Sequence, residues 1–506
     1  MVDDFINIDS PSSFLFKLLE RFGEDATLKR IFQIILLHNC QTILIESFYK
    51  HEAWDSEYEK FYKNLFKAPS NSTTRLHFFA AQLIEQDFAN LEQYQEQYLG
   101  FCVLRPLENQ KVISASIKPF EDANEPKRSF LLCNEIYDVD IETSKGIWQK
   151  LHIASTPFTQ QDGQLGRCSH AAIQTVDSVL IKGRNRPQRE KKPNTPYFTG
   201  DIVGLLSEFL GIQRQIPSEG LIPIQISQAL IRMGYDPLVY EYEKDKPIKY
   251  PPEKIVYHYL ESNIPIILGV PTSYGNHALT VIGHSFEPDL WWATAGEQYY
   301  GQDSGLDYKC STNWVQNFIL HDDNFGPYLT LPKEMLWFYA HRNLIIIVPL
   351  PPGVNMKGEE AETIAHAWAV TVADKRKEEE SDSNREYFEW FNILYDHLHR
   401  QDIVLRTWLL ESGLFKEKFV DPEVADYYEF LNMPDNVWLT EVSIPELFCQ
   451  QRLRLGEVII DPTEAKFRTA LLAVHLPGFM ITRNMDTDEW NEFVVPDDKP
   501  FGHIIR

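Results

Sequence analysis

Residues 159–176, TQQDGQLGRCSHAAIQTV, place a lone cysteine, Cys168, where a polar, glycine-punctuated loop meets an apolar helical pattern. A free thiol is only a few per cent thiolate at neutral pH, and a helix N-terminus beside an imidazole raises that fraction. Cys168 has that address; the bland alternative is a small buried apolar residue, the commoner fate of cysteine. A base has to come from elsewhere in the chain. His170 stands two residues on, about 200° round a helix, and points away. His277, in YGNHALTVIGH, opens a strand-like stretch directly after a Ser-Tyr-Gly-Asn turn, where a side chain can face a cleft. His284 follows seven residues later and faces the opposite side by strand alternation. A third group should orient the imidazole and hold its tautomer. FILHDDNFGPY supplies Asp322 and Asp323, which regular alternation puts on opposite faces, so that one of them, not both, meets His277.

The elements that must position these residues can be read from pattern. SSFLFKLLERFG and HEAWDSEYEKFYKNLF have helical spacing, so residues 1 to about 70 read as mostly helical. QYLGFCVLRPL and KRSFLLCNEIYDVDI are rich in strand formers. From 151 the order changes to a strand (LHIASTPF), the cysteine loop, a helix from Cys168 to about Ile181, and two helix-then-strand units. Those units are PIQISQALIRMGYDPLVYEY and PPEKIVYHYLESNIPIILGVP; strands in NHALTVIGHSF, FILHDDNFGPYLTL and NLIIIVPL follow. The stretch DLWWATAGEQYYGQDSGLDYKCSTNW lies between the His277 and Asp322 strands as a lid or a surface decoration. Three regions result: a mixed helical and strand region over 1–150, a central region over 151–352 and an α+β region over 353–506.

Composition bounds the partners. The chain has 506 residues, 48 Lys plus Arg against 73 Asp plus Glu, and a formal net charge of −25. Such an acidic surface repels phosphate backbones, which argues against nucleic acid as a main partner. The dense basic run KGRNRPQREKK (182–192) reads as a solvated loop. The N-terminus has neither the basic start nor the apolar run of a signal peptide. The longest apolar stretch, IFQIILLHNCQTILI, is too short and too polar to span a bilayer. These features predict a cytoplasmic protein with no membrane partner and reduced thiols. Its six cysteines form no CxxC pair, so neither a metal cluster nor a cofactor is expected.

Taken together and in order, QQDGQLGRCSHAA, HALTVIGHS and FILHDDNFG resemble the papain-like cysteine peptidases, and among them the bacterial C39-like group. The likeness covers about residues 150 to 350, less than half the chain. It implies an α+β fold with a papain-like core. It also implies Cys168 as nucleophile, His277 as general base and then acid, and Asp322 as the orienting carboxylate, with Asp323 the alternative. An upstream glutamine would donate to the oxyanion together with the Cys168 backbone N–H. The family position for that glutamine falls on Asp162 here; Gln161 is one residue early and Gln164 two late, and a one-residue bulge would bring Gln161 into place. The implied substrate is a peptide or protein, cleaved at a peptide or isopeptide carbonyl through a thioester. Delivery of the thioester to an amine, as in an acyltransferase or transglutaminase-like enzyme, uses the same triad. A non-catalytic interaction protein on a peptidase-like fold is the competing class.

Overall fold

The structure is a computed structural model that describes the chain except residues 9–10, 120–129, 144–145, 163–167, 183–194, 211–219, 274, 287–307, 382–387, 420–423, 430, 452, 496–497 and 503–506. Gln164, most of the basic run and most of the insertion before Asp322 lie outside the described residues. The architecture is α+β, built on three large sheets.

The first sheet is an antiparallel meander of β1 (Val2–Asn7), β2 (Thr42–Tyr49), β3 (Thr73–Phe79), β4 (Tyr98–Leu104) and β5 (Val112–Ile117). Helices α1 (Pro11–Phe22) and α2 (Ala26–Leu37) bury Leu18, Leu28, Ile31 and Ile35 against it. The expectation of a mostly helical start therefore missed two strands. The run IFQIILLHNCQTILI divides between the end of α2 and the start of β2, with Asn39 at φ 56 turning the chain. A continuous apolar run does not distinguish helix from strand by period, and only its polar middle marks the break. A short helix α3 (Glu52–Glu57), the three-residue strand β6 (Phe130–Leu132) and the hairpin β7 (Glu135–Glu142) and β8 (Trp148–Ser155) complete this part.

The second sheet runs in the order β14-β13-β11-β10-β15-β9. Its strands are β9 (Asp236–Glu241), β10 (Ile266–Thr272), β11 (Gly275–Phe286), β13 (Val315–Asp322), β14 (Gly326–Pro332) and β15 (Ile345–Leu350), while β12 (Lys309–Cys310) joins the third sheet. Alternation gives this sheet two apolar faces. Ile267, Ala278 and Ile347 pack under α4 (Cys168–Leu180), α5 (Thr199–Leu210) and α6 (Pro223–Arg232). Ile266, Leu268, Ile346 and Val348 face the layer of α7 (Pro252–Glu261), on which the helix Gly358–Ser381 packs in turn. Burying each of these side chains contributes roughly 1.5–3 kcal/mol, so both helical layers are held firmly.

The third sheet is β12-β16-β17-β19-β20-β21-β22, its long strands being β16 (Val404–Glu411), β17 (Asn436–Ser443), β19 (Gly456–Ile460), β20 (Leu471–Leu476), β21 (Phe479–Arg483) and β22 (Trp490–Val494). Ala361, Ala365 and Ala369, a small-residue stripe on Gly358–Ser381, let that helix lie close between the second and third sheets. Strands cross between the regions: β6, from the N-terminal part, pairs with β11 in the second sheet, and β12 pairs with β16 in the third. Among the described residues no helix is long and apolar enough to cross a membrane.

Candidate active site

Cys168 is the first residue of α4, a helix buried along nearly its whole length, so the thiol sits at the positive end of the helix dipole. Among the described cysteine side chains, Cys40, Cys102, Cys133 and Cys310 are buried and Cys168 is part-exposed. Burial pushes the Cys40 and Cys310 thiols up to about 12. The backbone N–H of Ala278 donates to Cys168 Sγ at 3.4 Å, which fixes the start of α4 against β11.

His277 lies near the beginning of β11, held in register by a tight connection in which Thr272 faces Gly275 and Val270 faces His277. Its Nε2 donates to Asp322 Oδ1 at 3.1 Å and lies 3.5 Å from Asp323 Oδ1. With Nε2 so engaged, Nδ1 is the nitrogen left for the Cys168 thiol. Burial pushes the His277 pKa down, but hydrogen bonds to Asp322 and Cys168 and the charges of both aspartates outweigh it and hold the ring up to about 10. The imidazole therefore carries its second proton at neutral pH.

Both aspartates reach the ring, against the expectation that only one would. The reason is a register irregularity between Leu320 and Asp322, where β13 pairs with β14 and ends. Past that point the chain no longer alternates, and Asp323 turns back toward the cluster. Asp323 is buried, and neither carboxylate oxygen has a hydrogen-bond partner among the described residues. Burial and, against the pull of His277, the neighbouring Asp322 charge push its pKa up to about 7. His277, Asp322 and Asp323 offer three ligand atoms within 4.8 Å of one another, a set that can also accommodate a divalent cation.

Asn324 escaped the sequence reading. Its backbone N–H donates to Asp322 Oδ1 at 2.8 Å, its Nδ2 lies 3.5 Å from His277 Nε2, and its Oδ1 accepts from Gln161 Nε2 at 2.7 Å. Gln161 is thus brought to the acid side of the site through Asn324. The signal was present in DDNFG, because Asn two residues after Asp favours a side-chain-capped turn.

The N-terminal region holds both loops that flank the cysteine. Gln160 donates to Thr27 Oγ1 at 3.0 Å and to Asp25, the N-cap residue of α2, and accepts from Val112 N–H at 2.9 Å. Arg105, fully buried, pairs with Glu57 at 2.8 Å and donates to the Gln160 carbonyl. On the acid side, Arg30 of α2 donates to the carbonyls of Pro327 at 3.3 Å and Tyr328 at 2.8 Å. Gly326, at φ +113, lets the turn lie directly on Arg30, whose Cβ would stand 2.9 Å from any added Cβ. One helix therefore clamps the glutamine loop and the aspartate turn together.

Of the other histidines considered, His170 is fully buried in α4, and His284 binds Glu261 in the core rather than the cleft. A cleft of about 380 Å³ opens beside Cys168 and His277, walled by Leu221, Ile226, Ile267, Ala278 and Ile347. No family model matches the chain, and a search of curated proteins returns no match.

Proposed function

We propose that the protein is a thiol-dependent hydrolase that cleaves a peptide or isopeptide bond in a peptide or protein substrate, on a papain-like core of the C39-like kind. One observation carries this reading: His277 is held between the Cys168 thiol at a helix N-terminus and the Asp322–Asp323 pair, 45 residues further along the chain from His277 to Asp322. Cys168 sulfur attacks the scissile carbonyl carbon as a thiolate paired with the His277 imidazolium. His277 then gives its proton to the departing amine as the C–N bond breaks, leaving a thioester on Cys168. Water, deprotonated by His277, attacks the thioester and releases the acid and the free thiol. Asp322 holds the ring in place throughout, and Asp323 adds negative charge behind it.

The backbone N–H of Cys168 and the side chain of Gln161 are assigned to the oxyanion; Gln161 Nε2 donates to Asn324 Oδ1 on the acid side, so this role requires its amide to turn toward Cys168. The aliphatic walls of the adjoining cleft favour an apolar side chain next to the scissile carbonyl. The test is incubation with a broad pool of peptides, read by mass spectrometry after acid quenching. New termini and an acyl adduct on Cys168 are expected, both absent in Cys168→Ser; cleavage that persists in Cys168→Ser would refute the assignment.

A further inference from the structure

A second chemical cluster lies away from the cleft, where α7, β12 and the helix Gly358–Ser381 meet. His258, Cys310 and Glu362 each offer a ligand atom there, all within 4.8 Å of one another, and the three residues are 0%, 0% and 1% exposed. They come from separate elements, so no local spacing in the sequence announces them.

The geometry fixes the roles of the atoms. His258 Nδ1 lies 3.2 Å from the Thr407 carbonyl, which only accepts, so Nδ1 carries a proton and donates. In the neutral ring Nε2 is then a lone pair, and it is buried with no hydrogen-bond partner among the described residues. It faces Glu362 Oε2 at 3.7 Å, too long for a hydrogen bond. Cys310 Sγ lies 3.8 Å from the same oxygen and 2.9 Å from the Thr312 hydroxyl. The Cys310 thiol donates weakly to that carboxylate oxygen, and the His258 lone pair points at the same space. Tetrahedral zinc, with bonds of about 2.0–2.3 Å, sets its ligands roughly 3.3–3.6 Å apart. The distances from Glu362 Oε2 to the other two, 3.7 and 3.8 Å, need only a slight contraction to match, and all three atoms lie within 4.8 Å of one another.

We propose that His258 Nε2, Cys310 Sγ and Glu362 Oε2 bind a structural divalent cation of the zinc class. The donor set of thiolate, imidazole and carboxylate suits zinc rather than magnesium or calcium, which prefer oxygen alone. The Nδ1 donation to Thr407 is the outer hydrogen bond that metal-ligating histidines commonly make, and it orients the ring. On binding, the Cys310 thiol proton leaves and a metal–sulfur bond forms. Lys254, one turn earlier on α7, adds positive charge near Cys310. The ion would tie the returning end of the insertion, at β12, to α7 of the second sheet and to the helix that carries the third. The close approach this needs is visible at Gly358, where an added Cβ would stand 3.1 Å from both His258 and Trp438.

This proposal does not rest on the hydrolase reading. The test is metal analysis of the full chain grown in zinc-supplemented medium and purified without chelator. About one zinc per chain is expected for the wild type and for His277→Ala, the latter removing a ligand from the His277–Asp322–Asp323 group at the cleft, and a large loss is expected in Cys310→Ala. Because Cys310→Ala can fail through misfolding, wild-type protein grown with cobalt is examined in parallel for the thiolate-to-cobalt charge-transfer band. A wild type with less than about a tenth of a metal per chain, a full metal content in Cys310→Ala, or cobalt bound without a sulfur band would overturn it.

Discussion

Strand β11 carries two histidines with similar partners in opposite settings. His277 meets Asp322 and Asp323 at the open end of the strand, beside a part-exposed cysteine and a cleft. His284 donates to Glu261 at 2.7 Å with no exposure at all. Glu261 also takes Arg406, which pairs with Glu441 at 2.8 Å, and Arg454 extends the chain of charges to Glu457 at 3.0 Å. Burial pushes the Glu261 carboxyl up, yet Arg406 and His284 outweigh it and leave the carboxyl well below its usual range. That network joins the second sheet to the third. The same imidazole–carboxylate contact carries proton transfer in the proposed chemistry at one place and acts as a brace in the other. What differs is a nucleophile within reach and access from solvent.

The largest expected effect separates the two sites. His277→Ala should lower kcat/KM per folded molecule by about 10³–10⁴-fold, as checked by peptide cleavage with the folded fraction read from urea unfolding. Glu261→Gln should leave that quantity nearly unchanged. It leaves Arg406 and His284 short of a buried counter-charge, so stability should fall by about 3–5 kcal/mol while kcat per folded molecule stays nearly constant.

A smaller, pH-dependent difference follows from Asp323. Its pKa is raised from 3.8 to about 7, so the folded chain holds that proton more tightly than the unfolded chain. The resulting stability is complete below pH 3.8 and is lost as pH rises through about 7. Asp323→Asn should flatten this part of the stability–pH curve. His277, raised from 6.5 to about 10, contributes stability below pH 6.5 that is lost as pH rises through about 10. That second slope should survive in Asp323→Asn but move to lower pH, because one of the charges holding the proton is gone. Denaturant titrations across this range measure both slopes, and an unchanged acid-side slope would remove Asp323 from the explanation.

The smallest effect tests the clamp. Arg30→Ala should release the turn at Pro327 and Tyr328 and reduce kcat by about 10-fold with little change in KM, since a slight misplacement of the acid costs rate rather than binding. A change in KM alone would mean that Arg30 shapes the substrate surface instead.

How far the sequence carried these assignments depended on range. Cys168, His277 and Asp322 each stand at the edge of an element whose local pattern is clear, so their candidacy was legible. The helix starts at Cys168, where the pattern placed it, and the strand starts at Gly275, two residues before the expected opening at His277. Strand alternation misjudged Asp323 because the irregularity after Leu320 depends on pairing with β14, which period-two reasoning does not contain. Arg30 and Gln160 were invisible for a stronger reason. Their partners lie 297 and 133 residues away, and no periodicity encodes a hydrogen bond to a distant carbonyl or hydroxyl. The same holds for Glu261, whose partner Arg406 is 145 residues on.

The most direct measurement is the alkylation rate of each cysteine against pH, followed by mass spectrometry in the wild type and in His277→Ala. Cys168 should react far faster than every other cysteine, already at mildly acidic pH, and should lose that advantage when the imidazole is removed. A rate at Cys168 that matches an ordinary exposed thiol, or that is the same with and without His277, would contradict the pairing of sulfur and imidazolium on which the proposed chemistry depends.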